Sequence, residues 1–426
     1  MQNQAEMMQP EAMPAPAPSD TNVVADIPRV SIQAFCETQP TATAMQNAMV
    51  DRRFAKAHVD IQLGGMAAAT QWFTEAPTPN VLIVETRSAA DMLLAELGAL
   101  ASVCDGSTKV IVIGHVNDVR LYRTMMDQGV SDYLVAPINE LQLITSVSSL
   151  YSAPDASPVG RICAFIGSKG GVGSSTLAHN VGWAISEVLV EDVVITDLDL
   201  AFGTAGLNFN QDAAQGIAEA LGAPDRVDDV LIDRLLTKCS ERLSLLAAPG
   251  AVDRDFNIES DALDIILDLI RHSVPTVVVD LPSAWTPWTR DTLVKADEVV
   301  VTATPDLASL RNTKNVIDML KGSRPNDRPP YLVLNQVGVP KRPEISAGDF
   351  ARTVGLDPVV VMPYEPIPYA TASNNGQMMF ELDQKTKSTE GMLELAKMLS
   401  GRSEPPQKKK GALAPLLEKF SGKRKK

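Results

Sequence analysis

Cysteine and histidine are scarce in this chain, with four of each among 426 residues. Cys36, Cys104, Cys163 and Cys239 form no CxxC pair and have no histidine at ligand spacing. This excludes a disulfide framework and a zinc ribbon, and fits a reducing cytoplasm. The histidines do not cluster either, which leaves little for metal or imidazole chemistry. No uninterrupted apolar run reaches the ~18 residues that a membrane-spanning helix needs. The opening MQNQAEMMQPEAMPAPAP has neither a basic start nor an apolar stretch, so it does not read as a secretory signal. What is present is globular: 45% hydrophobic and 21% charged residues, over a length that suggests two or three folded units.

The net charge of −14 conceals an asymmetry. Residues 401–426 carry nine Lys and Arg against Glu404 and Glu418, so the body of the chain is strongly acidic. Such a body is a poor partner for nucleic acid phosphates. In the basic tail, Leu413, Leu416, Leu417 and Phe420 fall at helical spacing between cationic flanks. That pattern suits a membrane-surface helix, with Pro415 in its first turn; a solubilising disordered tail is the other reading. Residues 1–28, with five prolines, four acids and no base, read as a disordered leader.

From Val30 onward, short β-rich runs alternate with helical ones. SIQAF (31–35), HVDIQL (58–63), NVLIVE (80–85), KVIVIG (109–114) and DYLVA (132–136) predict five strands. Helices are predicted between them, over 66–75, 88–103 and 117–127, and after the last over 139–151. Five βα units in residues 29–151 predict a small doubly wound parallel sheet, whose buried strands should be continuous apolar runs. The order of units and the segment GVSDYLVAPI resemble a response-regulator receiver domain. In that family an Asp ends the third strand as phosphoacceptor; here Glu85 stands there. Gly114 replaces the hydroxyl residue of the fourth strand, and Ala136 the lysine before Pro137. The resemblance therefore implies the fold without phosphotransfer, which needs those groups.

YSAPDASPVG reads as a linker, 152–160, to a second domain over 161–400. Its first stretch, RICAFIGSKGGVGSSTLAHNVGWAISEVL, is an apolar strand, a glycine-rich loop and a helix, the setting of a phosphate-binding loop. Gly170, Gly171 and Gly173 let backbone amides approach a polyphosphate, and Ser175, with Thr176 beside it, stands where a Mg²⁺-binding hydroxyl belongs. The strict G-x-x-x-x-G-K-[ST] pattern is not met, because Ser168 replaces the first glycine and Ser174 the lysine. His179 and Trp183, further along the helix, read as packing residues.

Lys169 opens K-G-G-V-G, VVITDLDL ends a strand in D-x-D, and VVVDLPS ends another in an acid. With ADEVVVTATPDLASLRNTKNVIDML, YLVLNQVG and MPYEPIPYATASNNGQ, these segments make residues 161–400 resemble the MinD/ParA family of deviant Walker ATPases. The resemblance implies a second doubly wound α/β domain of P-loop NTPase type that binds ATP and Mg²⁺ and forms a homodimer. Lys169 would reach the partner's phosphates. Gly170, Gly171, Val172, Gly173, Ser174, Ser175 and Thr176 would cradle the nucleotide. Ser175, Asp197 and Asp280 would support the metal, and Asp199 would orient the attacking water. Asn335 and the loop at Pro363 would face adenine. Without the P-loop lysine, hydrolysis should be slow or partner-dependent.

A phosphorylation-incompetent receiver-like domain ahead of GGVGSST, with AHNVGWAIS and WTPWTRD, resembles the CpaE/TadZ family of Tad (Flp, type IVb) pilus assembly proteins. That resemblance implies a cytoplasmic localisation factor, often polar and peripheral to the inner membrane. Its partners would be the pilus secretion ATPase and the inner-membrane platform. A ParA-like partitioning ATPase, or a sensory module acting through residues 29–151, are the alternative readings.

Overall fold

The computed structural model describes residues 24–403, apart from 25, 29, 152–158, 213–214 and 254–255. Most of the expected leader, linker and basic tail lies outside the described residues. Two sheets organise the rest. The first holds β1 (Ser31–Cys36), β2 (His58–Leu63), β3 (Val81–Thr86), β4 (Lys109–Gly114) and β5 (Asp132–Val135) in the order β2-β1-β3-β4-β5. All its pairs are parallel, as the predicted βα alternation requires. VLIVET of β3 is buried at every position, because helices cover both faces of the sheet.

The second sheet takes β6 (Arg161–Gly167), β7 (Val193–Asp197), β8 (Thr237–Lys238), β9 (Leu243–Leu246), β10 (Thr276–Asp280), β11 (Glu298–Ala303), β12 (Tyr331–Val337) and β13 (Pro358–Pro363). Their order is β13-β12-β11-β6-β10-β7-β9-β8, parallel except for β8 against β9. Alternate residues of β6 feed opposite cores. Cys163 and Phe165 pack on one face, Ile162, Ala164 and Ile166 on the other. This period of two fixes the register, since a slip of one residue would exchange the two layers. From β6 the chain passes to β7 on the β10 side, and from β10 it crosses to β11 on the other side, so the order reverses beside β6 and the loop after β6 opens where ligands enter sheets of this kind.

A buried ionic joint links the two sheets. The turn after the first helix (Gln39–Met49) presents Asp51, Arg52 and Arg53, and the turn after the helix Leu307–Ser323 presents Asn326 and Asp327. Arg52 Nε and Arg53 Nη2 donate to the two oxygens of Asp327 at 3.0 and 2.9 Å. Asn326 and Arg53 donate in turn to Asp51. Arg324 completes the set on Asp327 at 2.8 Å. Burial would raise the Asp327 carboxyl, but the guanidiniums of Arg52, Arg324 and Arg53 outweigh it and hold the group below its usual range.

Candidate functional site

Register brings the acidic strand ends together. β10 lies between β6 and β7, pairing Asp280 with Asp197 on one side and with Phe165 on the other. Two residues beyond Phe165, the chain enters the glycine-rich loop. Gly171 and Gly173 adopt φ of 77° and 89°, a region closed to most side chains. A Cβ on Gly173 would also lie 2.6 Å from Asn335 Nδ2. The helix Ser174–Trp183 starts directly after the loop, so its first amides face the space above the strand ends. Ser174 is buried, and its Oγ has no hydrogen-bond partner. Ser175 and Thr176 are half-buried beside it.

The loop is held from the β11 side. Ser168 N donates to Thr302 O at 2.8 Å, and Ser168 Oγ to Ser309 Oγ at 3.1 Å. The serine in the first glycine's place thus anchors the loop to the helix Leu307–Ser323 after β11. Lys169 Nζ donates to Asp306 Oδ2 at 2.9 Å, within the same chain. Burial works against the Asp306 charge, but the Ser309 amide, the Thr304 hydroxyl and Lys169 lower its pKa to about 2. Asn335 turns toward the loop: its Nδ2 donates to Val172 O at 2.8 Å, and Gln336 donates to Gly171 O at 2.9 Å. Pro363, at the end of β13, is half-buried.

The carboxylates differ in how they are held. Asp197 accepts from Asp199 N and Ala205 N, both at 3.1 Å. Burial and the nearby charge of Asp280 raise its pKa. Asp199 is half-exposed and accepts from Phe202 N at 3.1 Å, which folds the D-x-D loop back on itself. Asp280 has one buried oxygen, Oδ1, with no hydrogen-bond partner. His179 Nε2 lies 3.2 Å from the other, Oδ2. One ligand atom from each of His179, Asp197 and Asp280 lies within 4.8 Å of the others. Burial lowers the imidazole's pKa, and Asp280 raises it by more.

His179, expected from the sequence to pack, is wholly buried and flanked by Phe209, and it also lies beside Asp280. Its position four residues after Ser175, on the same helix face, is the available signal. Trp183 packs too, stacking on Phe380 with centroids 5.5 Å apart.

The receiver-like sheet has its own buried acid one residue before the end of β3, in a different condition. Glu85 is wholly buried and accepts from the amides of Glu37 and Thr38 and the hydroxyls of Thr38 and Thr41, each at 2.7 Å. His115 Nε2 adds a contact at 3.1 Å.

No family model matches the chain. The septum site-determining protein MinD of Thermotoga maritima is 24% identical over 282 residues, covering 62% of this chain and 98% of its own length. A solved ParA family ATPase from Chlorobium tepidum TLS is 22% identical, covers 55% of this chain and 98% of that chain, and superposes with a TM-score of 0.51. It has the same fold as the eight-stranded half. The solved pilus assembly protein CpaE from Caulobacter crescentus CB15 is 43% identical, covering 30% of this chain and 98% of that chain, with a TM-score of 0.30. Among the described residues, no helix is long and apolar enough to cross a membrane.

Proposed function

We propose that this chain, which belongs to the MinD/ParA-like ATPase superfamily, is an ATP-dependent assembly and localisation factor for a Tad-type pilus machine. The observation that carries the nucleotide reading is the set of orphaned buried polar atoms, Ser174 Oγ, His179 Nε2 and Asp280 Oδ1, gathered where the glycine-rich loop enters its helix. Buried polar groups are almost always paired, so such atoms at a helix N-terminus call for a ligand. The donor set suits Mg²⁺, a hard cation that takes hydroxyl and carboxylate oxygens. Ser175, Asp197 and Asp280 would hold it there. When bound, it would neutralise charge on the nucleotide's phosphate oxygens.

The chain's own groups then divide the work. Loop amides from Gly170 to Thr176 bind the phosphates, and Asp199 holds the attacking water. Asn335 braces the loop at Val172 and forms the purine side together with Pro363. Lys169 reaches the partner's phosphates only after leaving Asp306, which makes that ion pair a resting clasp for the monomer. Ser174 supplies a hydrogen bond where a lysine would supply charge, so occupancy rather than rapid turnover controls dimer formation. The pilus assignment is supported by the 43% identity to CpaE, together with the receiver-like half ahead of GGVGSST. Its partners would be a secretion ATPase and the inner-membrane platform, reached from the cytoplasm.

Light scattering of the full chain tests the reading. Mg-ATP is expected to convert monomer to dimer, and Lys169→Ala or Asp280→Ala to abolish the conversion. Absence of calorimetric heat with Mg-ATP at high protein concentration would overturn the site assignment.

A further inference from the structure

Asp197 and Asp280 are paired in register, yet only Asp197 is oriented by backbone amides. Asp280 leans on a side chain. Among the described residues, His179 is the one basic group paired with it. The ring is buried completely, and its far side is held by Asn208, whose Nδ2 lies 2.9 Å from Nδ1. An amide nitrogen there can only donate, so Nδ1 accepts and the proton of the neutral ring falls on Nε2, which lies 3.2 Å from Asp280 Oδ2 but is not aligned with it as a hydrogen bond. Phe209 flanks the ring, with centroids 5.8 Å apart. The imidazole thus occupies the Oδ2 side of the carboxylate and leaves Oδ1 as the open oxygen.

We propose that His179 is a positioning residue that fixes which oxygen of Asp280 is offered to a nucleotide-bound divalent cation, and that Asn208 ties this setting to the segment after the D-x-D loop. The inference rests on the nucleotide-site reading above. Its elements are close in sequence as well as in space. His179 follows Ser175 by one helical turn, so the two metal-side groups ride on one rigid element. Asn208 ends the short helix Ala205–Asn208, whose first amide is the Ala205 N that holds Asp197. One short helix therefore touches both carboxylates, directly at Asp197 and through His179 at Asp280. A shift of that helix when Asp199 engages a nucleotide would reach Asp280 by this route. Groups that orient a metal's ligands affect cation affinity almost as strongly as the ligands do, by ~10–100-fold when removed.

The test is calorimetric and needs no turnover. ATP affinity of the full chain is measured with Mg²⁺ and with EDTA, and the ratio of the two gives the contribution of the cation. For His179→Ala that ratio is expected to fall by ~10-fold or more, with affinity in EDTA unchanged. His179→Gln, whose side-chain amide can donate near the position of Nε2, should recover most of it. Asn208→Ala, at a half-buried position, should show a smaller loss and serves as the probe if His179→Ala does not fold. An Mg²⁺ ratio equal to the parent's in a folded His179→Ala, or in Asn208→Ala where that stands in for it, overturns the proposal and leaves the nucleotide site intact. Failure of the parent chain itself to bind ATP overturns the site reading and this inference with it.

Discussion

Each sheet carries a buried carboxylate at or next to the end of a strand, Glu85 in β3 and Asp280 in β10, and these two are in opposite states. Glu85 is surrounded by two amides, two hydroxyls and an imidazole, and has no capacity left for a ligand. Asp280 has an oxygen that nothing satisfies and a second buried carboxylate as its strand neighbour. The same doubly wound architecture thus carries one acid completed by its own chain and one left incomplete. A completed acid contributes to stability. An incomplete one costs stability, and such groups concentrate at functional sites.

The sharpest way to break this contrast is to remove each acid. Glu85→Ala strands several buried donors and is expected to cost about 3–5 kcal/mol in denaturant unfolding, with little change in ATP affinity. Asp280→Asn should do the reverse, leaving stability within about 1 kcal/mol or raising it, while Mg-ATP binding is lost. Equal destabilisation by the two variants would erase the distinction.

Next in size is Ser174→Lys. One charged contact to the leaving phosphoryl group is commonly worth ~10²-fold in rate, so ATP turnover should rise by about that factor and require Asp199. A release assay showing no rise, with binding intact, would place the block elsewhere, with Ser168 the next position to restore.

A smaller effect concerns acid. Burial would raise the Glu85 carboxyl, but the Thr41 and Thr38 hydroxyls and the amides of Thr38 and Glu37 outweigh it and lower it. Its stabilisation is therefore fully present above the unfolded value near ~4.3 and is lost as pH falls through the lower folded value. Unfolding curves of parent and Glu85→Gln should converge only in that acid window. The smallest expected effect is none at all: acetyl phosphate should leave residues 29–151 unmodified by mass spectrometry, because Glu85, Gly114 and Ala136 replace the reacting groups.

The strands were legible because parallel strands covered on both faces must be apolar at every position, as VLIV, VIVI and VVIT are. The acids were legible because they end such runs. Side-chain partners were not. Asp306 lies 137 residues from Lys169 in sequence, with no local pattern to mark it as the lysine's partner. A lone histidine on an apolar helix looks the same whether it packs against leucine or against Asp280. Asn335 was legible as a strand-end polar residue, but its bond to Val172 O depends on a register that only the folded sheet supplies.

The joint between the sheets has a consequence for how ionic strength acts on the molecule. Arg53 and Asp327 expose only 5% and 8% of their side chains, whereas the surface pair Arg352 and Asp349 exposes 79% and 57%. Counterions crowd around the second kind of pair and scarcely reach the first. Concentrated salt should therefore sort the molecule's charges into two populations. It would strip away whatever the basic tail holds by attraction alone, and leave the two halves fastened to each other.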